Sequence, residues 1–299
     1  MVNGSAAYEP IAFIGAGTMG APMVRNLAKA GAPVVAFDVR KAALDELAGE
    51  GIATAASLEA ALSGRHFAIT MLPDTPDVRA AALGAGGIAE LMPAGSLFID
   101  TSTIAPAAAA EIAGALGARG IGFLDAPVSG GVTGAVAGTL SIMVGGEAAD
   151  FARAEPVLTC VGKSVIHAGP AGMGQVFKCC NQLMVASHIQ AMCEAVALGR
   201  AFGADLERLT RVLAAGAAGS WMLDNMASRV IAKDDSAGFR IDLQLKDLRL
   251  AGDAAFEKGV PLPGLALATA LYLEARAHGE GGKGNQALFR TFDRLTNQA

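Results

Sequence analysis

The chain has few aromatic residues, few cysteines and no long apolar run, and each of these shortages excludes a class of protein. Aromatic side chains make up only 5% of its 299 residues, whereas Ala and Gly dominate an apolar share of 53%. This composition predicts close packing of helices and backbone rather than a bulky aromatic core. With 17% charged residues, the chain also lacks the composition of a disordered protein.

The four cysteines are too few and too clustered to form a disulfide framework. Three of them, Cys179, Cys180 and Cys193, fall in a single helical stretch. They indicate reduced thiols in a cytosolic protein. We expect the adjacent pair to be small buried side chains rather than a redox couple. The four histidines lack the spacing of a zinc site, so no metal is predicted.

Positive charge runs and membrane-directing segments are also missing. The formal net charge is −5, so neither nucleic acid nor an anionic membrane is an expected partner. The first ten residues, MVNGSAAYEP, do not read as a signal peptide. The apolar stretches are interrupted well before the ~18 residues of a transmembrane helix. We therefore expect a cytoplasmic protein.

Near the N-terminus, a strand, a glycine turn, a helix, a second strand and an acid follow one another closely. The apolar run IAFI at 11–14 leads into GAGTMG at 15–20, and a helical pattern extends over Pro22–Ala30. A second strand is predicted at Pro33–Phe37, and it ends at Asp38. This order is typical of a dinucleotide-binding unit.

Each residue of that unit has a physical task. Gly15 allows the tight turn, Gly17 lets the backbone approach a pyrophosphate, and Gly20 lets the helix pack close to the strand. Asp38 is positioned to accept hydrogen bonds from a ribose hydroxyl. The predicted phosphate-binding loop also includes Ala16, Thr18 and Met19.

The choice between NAD and NADP depends on three neighbouring residues. An anionic Asp38 would repel a 2′-phosphate, which favours NAD. The cations Arg40 and Lys41 could hold that phosphate, so NADP stays an alternative. We predict NAD.

Strand-like and helical segments continue to alternate up to about residue 169. Ligands of a doubly wound sheet gather beyond the carboxyl ends of its strands, so Leu72, Pro73 and Thr103 are predicted to line the cofactor cleft. The strands concerned are predicted at Phe67–Leu72, Leu97–Ile99 and Gly122–Leu124.

The segment DAPVSGGVTGAVAGTLSIMVGG, residues 125–146, follows the last of these strands. Ser129, Gly130 and Gly131 can offer successive backbone N–H groups and one hydroxyl, a concavity that suits a carboxylate. The alternative is a flexible turn before a strand at Leu140–Val144, and the residues alone do not separate the two.

Beyond Gly169 only helical segments are predicted, and this change divides the chain. We predict an NAD(P)-binding domain over residues 1–169 and an all-helical substrate and oligomerisation domain over residues 170–299. The fold class is α/β, with an N-terminal Rossmann-like doubly wound sheet followed by an all-α domain. A long helix over Gly172–Gly203 joins them. Further helices are predicted at Asp205–Ala214, Ser220–Ala232, Ile241–Lys258, Leu265–His278 and Asn285–Leu295.

The joining helix has a polar face near its start. Gln175, Lys178, Asn181 and Gln182 lie three or four residues apart, so they share one face. A Lys and an Asn facing apolar surroundings need a reason, because burial without partners is unfavourable. The alternative is an amphipathic helix with a solvated N-terminal end. The apolar circumference farther along predicts a homodimer or homotetramer formed through the helical domain.

Four stretches together resemble the β-hydroxyacid dehydrogenase family over roughly residues 10–297. They are FIGAGTMGAPM, the 125–146 segment, GMGQVFKCCNQ and KDLRLA. The resemblance implies that Lys178 is the catalytic lysine and that Asn181 orients the substrate oxygen. A second Asn is frequent in the family where this chain has Gln182, which we expect at the substrate. The family's carboxylate-binding loop matches Ser129, Gly130 and Gly131, and Thr103 and Lys246 match positions beside the nicotinamide.

The resemblance implies an oxidoreductase that transfers a hydride between NAD(P) and a small 3-hydroxy acid or semialdehyde acid. The ordinary pKa of a lysine, about 10.4, makes it a poor base at pH 7, and burial beside a nicotinamide cation would lower that pKa.

Because GFRIDLQLKDL is similar to the 2-hydroxy-3-oxopropionate (tartronate semialdehyde) reductase branch, that activity is expected first. 3-Hydroxyisobutyrate dehydrogenase or another semialdehyde reductase is the alternative. A dinucleotide-binding sensor would not need Lys178, Asn181 and Ser129 together. Trp221 is expected to anchor the helical core, and the alternative is a wall of the substrate site.

Overall fold

A computed structural model describes residues 8–296 of the chain. The N-terminal segment judged not to be a signal peptide therefore lies mostly outside the described residues. The chain divides into two compact units, Met1–Lys178 and Cys179–Ala299. None of the helices within residues 8–296 has both the length and the hydropathy that crossing a membrane would require.

In the described part of the first unit, nine strands form one sheet. Its strand order is β3-β2-β1-β4-β5-β6-β8-β7, with β9 paired to β8. The six strands from β3 to β6 are parallel, whereas β8 runs antiparallel to β6. The parallel part has the order of a dinucleotide-binding sheet, whose direction of progression changes between β1 and β4. The strands are β1 Ile11–Ile14, β2 Val34–Phe37, β3 Ala53–Thr54, β4 Phe67–Thr70, β5 Leu97–Asp100, β6 Gly122–Asp125, β7 Val128–Ser129, β8 Leu140–Gly146 and β9 Gly162–Gly169.

Helices cover both faces of this sheet, because successive side chains of a buried strand point to opposite sides. In β1, Ile11 and Phe13 belong to one apolar core, and Ala12 and Ile14 belong to the other. The helices of this unit are α1 Gly20–Lys29, α2 Lys41–Gly49, α3 Leu58–Leu62, α4 Thr75–Leu83, α5 Ile88–Leu91, α6 Pro106–Gly117, α7 Gly131–Ala137 and α8 Ala148–Leu158.

The second unit is helical in the part that the structure describes, apart from one isolated bridge between Arg240 and Gly284. The division between the units falls inside α9, Met173–Ala201, directly after Lys178. The domain boundary at residue 169 stays a prediction. The remaining elements are α10 Leu206–Ala215, α11 Trp221–Ile231, α12 Ile241–Lys258, α13 Pro263–Ala277, a 3₁₀ turn Asn285–Leu288 and α14 Phe289–Leu295.

The predicted fold class is confirmed: a mostly parallel sheet with helices precedes a helical unit, and one long helix runs from the first into the second. Among the elements that were not predicted, α6 and β9 were missed for different reasons. Helix α6 is rich in Ala and Gly, so it shows no apolar period. Strand β9 pairs only with β8 and is only partly buried, so it lacks a continuous apolar run.

Two side chains predicted to be buried are exposed. Trp221 begins α11 with about half of its surface exposed (55%), so the expectation that it anchors the core is wrong. Cys180 is also exposed, whereas its neighbour Cys179 is buried. On a helix, adjacent residues point about 100° apart, so one thiol can be inside and the next outside.

Candidate active site

The glycine loop after β1 has a backbone that only glycine can form at two positions. Gly15 has a φ of +97°, and its N–H donates to the carbonyl of Phe37 at 2.8 Å. A Cβ on Gly20, the first residue of α1, would overlap the carbonyl oxygen of Gly15. If Gly17 carried a Cβ, the nearest atom to it would be Nη2 of Arg40, at 3.3 Å. Met19 makes no side-chain cap at this helix start, where the Ala21 N–H donates to the Gly17 carbonyl at 2.9 Å. The loop therefore fits a pyrophosphate.

Asp38 lies at the carboxyl end of β2 and is buried. Its carboxylate accepts hydrogen bonds from the Arg40 backbone N–H at 2.8 Å and from the Arg40 guanidinium at 3.1 Å. Burial disfavours its ionised form, but the bonds from Arg40 outweigh burial and hold the pKa of Asp38 below its usual value. Lys41 pairs with Asp45 at 2.7 Å. Both cations near Asp38 are thus engaged by carboxylates of the chain.

Buried hydrogen bonds join the loops that follow β4 and β5. The Leu72 N–H donates to the hydroxyl of Ser102 at 2.8 Å, and the Ser102 N–H donates to Asp100 at 3.0 Å. Thr70 donates its hydroxyl to the same Asp100 oxygen at 2.7 Å. These bonds hold the first loop, with Leu72 and the exposed Pro73, against the second loop, where Thr103 follows Ser102.

Gln175 ties the start of α9 to the loop that carries Thr103. Its Oε1 accepts from the Ile104 N–H at 3.1 Å, and its Nε2 donates to the Ser102 carbonyl at 2.9 Å. The side chain is fully buried. Both ends of the amide therefore hold the backbone on either side of Thr103, and Gln175 is a structural member of the polar helix face.

Asp125, at the end of β6, caps the same helix. Its two carboxylate oxygens accept from the N–H groups of Gly172 at 2.7 Å and Gln175 at 2.9 Å. Burial raises the pKa of Asp125 to about 6, against the opposing effect of these two bonds. Asp125 approaches the helix closely because Gly145 and Gly174 have no side chain: a Cβ on either would lie 2.5 Å from an oxygen of Asp125.

Lys178 stands one helical turn beyond Gln175 and is the last residue of the first unit. Only 5% of its surface is exposed. Its position is fixed through α9 by Asp125 and Gln175, because a helix transmits the placement of its first turn to the next.

The predicted carboxylate loop follows a short strand. Ser129 ends β7, and it pairs with Ser141 of β8. Gly130 and Gly131 have φ values of +133° and +61°, a conformation that glycine adopts more readily than other residues. The turn therefore requires glycine at both positions, and α7 starts at the second of them.

In the second unit, Asn181, Gln182 and Lys246 are brought together by a residue that the motif analysis overlooked, Asp247. Asn181 Nδ2 donates to Gln182 Oε1 at 2.7 Å, and Gln182 Nε2 donates to Asp247 Oδ2 at 2.6 Å. Lys246 Nζ lies 3.1 Å from Asp247 Oδ1, an ionic contact without the alignment of a hydrogen bond.

Three side chains that organise these loops and helices were not predicted from the sequence: Ser102, Asp125 and Asp247. Asp125 and Asp247 were visible as the first acid of DAPVSGG and the acid of KDLRLA. A carboxylate embedded in an apolar motif needs hydrogen-bond donors, and that requirement was the available signal.

Two family models match the chain, one in each half. Residues 10–169 match the family model described as the NAD-binding domain of 6-phosphogluconate dehydrogenase. Residues 172–292 match the model described as NAD-binding of NADP-dependent 3-hydroxyisobutyrate dehydrogenase.

Relatives align over nearly the whole chain. The NAD-dependent L-serine dehydrogenase of Pseudomonas aeruginosa is 38% identical, covering 97% of this chain and 100% of the relative. The 2-hydroxy-3-oxopropionate reductase of Escherichia coli is 35% identical, covering 96% and 98%. The structure of Mycobacterium tuberculosis 3-hydroxyisobutyrate dehydrogenase with L-serine superposes with a TM-score of 0.86 at 34% identity, covering 95% of this chain and 99% of that one.

The chain belongs to the β-hydroxyacid dehydrogenase family of NAD(P)-dependent oxidoreductases. The predicted family, enzyme class and dinucleotide cofactor are therefore confirmed.

The buried carboxylate of Asp125 generates a prediction about stability and pH. Its pKa is about 6 in the folded protein and 3.8 for an ordinary Asp. Between these values only the folded state holds the proton, so a rise in pH removes stability, by at most about 3 kcal/mol. Asp125→Asn lacks this titration, and its amide cannot accept from both N–H groups, which costs about 1–3 kcal/mol. We expect the stability advantage of the wild type over Asp125→Asn to shrink as pH rises from 4.5 to 7.

Urea denaturation of both proteins across that range measures the difference. Identical pH dependence of the two free energies of unfolding would contradict the assigned burial of Asp125.

Proposed function

We propose that the protein transfers a hydride between NAD and C3 of a small 3-hydroxycarboxylate, with 2-hydroxy-3-oxopropionate as the first candidate substrate. The main support is the placement of the buried Lys178 on a helix start that Asp125 and Gln175 tie to the loops after β6 and β5. Ligands of such a sheet bind at this carboxyl edge. 3-Hydroxyisobutyrate and other semialdehyde acids are the alternative substrates.

The names of the relatives narrow the chemistry of the substrate. L-Serine, 3-hydroxyisobutyrate and the reduced form of 2-hydroxy-3-oxopropionate all have the form HOCH2–CHX–COO⁻. Only X differs, being an ammonium, a methyl or a hydroxyl group. The site therefore needs a carboxylate seat and a hydroxymethyl site, and the contacts to X decide among the three.

In this proposal the cofactor is held at two ends. The loop Gly15–Gly20 binds the pyrophosphate and Asp38 the ribose. Leu72, Pro73, Thr103 and Lys246 line the nicotinamide end. Bound NAD(P) supplies the hydride acceptor for oxidation or the hydride donor for reduction.

Residues of the chain handle the proton and the orientation of the substrate. During oxidation the amine of Lys178 takes the proton of the substrate hydroxyl, and during reduction its ammonium returns that proton to the carbonyl oxygen. Asn181 orients the same oxygen, and Ser129, Gly130 and Gly131 bind the carboxylate through N–H groups and a hydroxyl.

Lys178→Ala tests the proton transfer. We expect kcat to fall by about 10²- to 10⁴-fold, because the proton-transfer group is lost. Binding of the dinucleotide, followed by nicotinamide fluorescence, should be unchanged. Turnover is measured with the three HOCH2–CHX–COO⁻ acids and with 2-hydroxy-3-oxopropionate, each with NAD and NADP forms. Lys163→Ala, an exposed lysine of β9, is the matched control and should behave as wild type.

Near-normal turnover in Lys178→Ala would contradict the assignment of Lys178 as the proton-transfer group. No turnover by the wild type with any of the acids would instead favour a dinucleotide-binding sensor.

Asp38 generates a prediction about cofactor preference. Its carboxylate would repel a 2′-phosphate while it also engages Arg40. We expect the wild type to prefer NAD. Asp38→Ala removes the anion and releases Arg40, so kcat/KM with NADP relative to NAD should rise, by about tenfold (~1.4 kcal/mol). Adding Arg40→Ala should remove that gain. A wild type that prefers NADP would contradict the proposal.

A homodimer or homotetramer formed through the helical unit, and a cytoplasmic location, complete the proposal. Large apolar side chains stay exposed along α9 and just beyond it: Met184 at 57%, Leu198 at 63% and Phe202 at 84%. Because successive residues of a helix point about 100° apart, these three side chains lie within about 40° of one line along the helix. They form an exposed apolar face that a second copy of the chain could cover. Light scattering at micromolar concentration should give the mass of a dimer or tetramer, and a monomeric mass would refute the assembly.

A further inference from the structure

Gln182 is 4% exposed, and both ends of its side-chain amide are bonded to other side chains of the second unit. We propose that Gln182 and Asp247 are positioning residues that fix the amide of Asn181, so that the second N–H of its Nδ2 donates to the C3 oxygen of the substrate while Lys178 handles the proton of that oxygen. This inference rests on the proposed function and assigns Gln182 a role behind the substrate rather than against it.

Asn181, Gln182 and Asp247 form a hydrogen-bond relay, and the chemistry of these three side chains sets its direction. The carboxylate of Asp247, in ionic contact with Lys246, can only accept, so the amide nitrogen of Gln182 must face it. Gln182 Oε1 then faces Asn181 and can only accept, so the amide nitrogen of Asn181 must face Gln182. One of the two N–H bonds of Asn181 is thereby committed to Gln182, and the other is held in a fixed direction. Because Asn181 is only half-buried, that second N–H can meet a ligand.

Helix α12 holds Gln182 at two points. Asp247 binds its side chain, and Gln244, one turn earlier on α12, donates Nε2 to its backbone carbonyl at 3.3 Å. Gln244 is fully buried. A residue anchored by both backbone and side chain cannot rotate its amide without breaking buried hydrogen bonds, which is unfavourable.

The length of the glutamine is what closes the relay. An Asn at position 182 would be shorter by one C–C bond, about 1.5 Å, which would stretch the 2.6 Å bond to Asp247 beyond hydrogen-bond distance. The relay thus depends on Gln rather than on any amide at this position.

A donor at Asn181 suits the C3 oxygen in both directions, because carbonyl and hydroxyl oxygens both accept hydrogen bonds and the single hydroxyl proton is left to Lys178. A freely rotating Asn would present its Oδ1 part of the time, and that oxygen would repel a carbonyl oxygen. Fixing the amide therefore removes the wrong orientation before the substrate binds, which is a gain in preorganisation.

A double-mutant cycle tests whether Gln182 acts through Asn181. Gln182→Met keeps the length and volume of the side chain without its polar atoms. We expect it to lower kcat/KM by about tenfold to a hundredfold. In an Asn181→Ala background the same change should cost less than about twofold, because the residue being positioned is already absent. Gln190→Met, on the same helix with only an exposed bond to Glu194, is the matched control and should match wild type.

Gln182→Glu gives a second readout if the apolar variant folds poorly. Its carboxyl still accepts from Asn181 but meets Asp247 across the former 2.6 Å bond, with Lys246 the cation in contact with Asp247. Two carboxylates this close share a proton at low pH and repel each other at high pH. We expect kcat/KM of Gln182→Glu, relative to wild type, to recover as pH falls from 9 towards 5.5.

The outcomes separate the inference from the proposed function. Turnover by the wild type, with full loss from Gln182→Met even in the Asn181→Ala background, would overturn the inference alone. A pH-independent ratio for Gln182→Glu would do the same. No turnover by the wild type with any of the tested acids would overturn the proposed function and the inference together.

Discussion

The capping of α9 by Asp125 is the interaction on which the arrangement of the first unit depends. One carboxylate receives the N–H groups of Gly172 and Gln175, and those donors would otherwise be unsatisfied at a helix start. The contact requires backbone without side chains at Gly145 and Gly174. Because Lys178 follows one turn later, the strand end that holds Asp125 also determines where the lysine lies.

The same logic recurs at two buried amides of this protein. Gln175 uses both ends of its amide on the backbone around Thr103, and Gln182 uses both ends on Asn181 and Asp247. A buried amide that made only one of these bonds would be strongly unfavourable, since low dielectric magnifies the loss. Fully bonded amides are therefore rigid, and rigidity is what a hydride-transfer site requires of the groups around it.

Prediction from sequence succeeded where the local pattern and the tertiary environment agree. Strands β1, β4, β5 and β6 are buried on both faces and read as continuous apolar runs, so they were found within two residues. Helix α12 was predicted with its observed bounds because its apolar residues recur at helical spacing. Ala-rich α6 and the partly buried edge strand β9 carry neither signal, and Trp221 shows that residue type alone does not determine burial.

By itself, the sequence determined the class of the protein. The spacing of Gly15, Gly17, Gly20 and Asp38 and the order of the motifs are properties of the chain, because turn geometry and helix starts are local. Tertiary structure alone decided the partners of the buried polar groups. Gln182 and Asp247 are 65 residues apart, and Asp125 and Gln175 are 50 apart. Since hydrogen bonds act only over about 3 Å, no local pattern could reveal which distant donor and acceptor would meet.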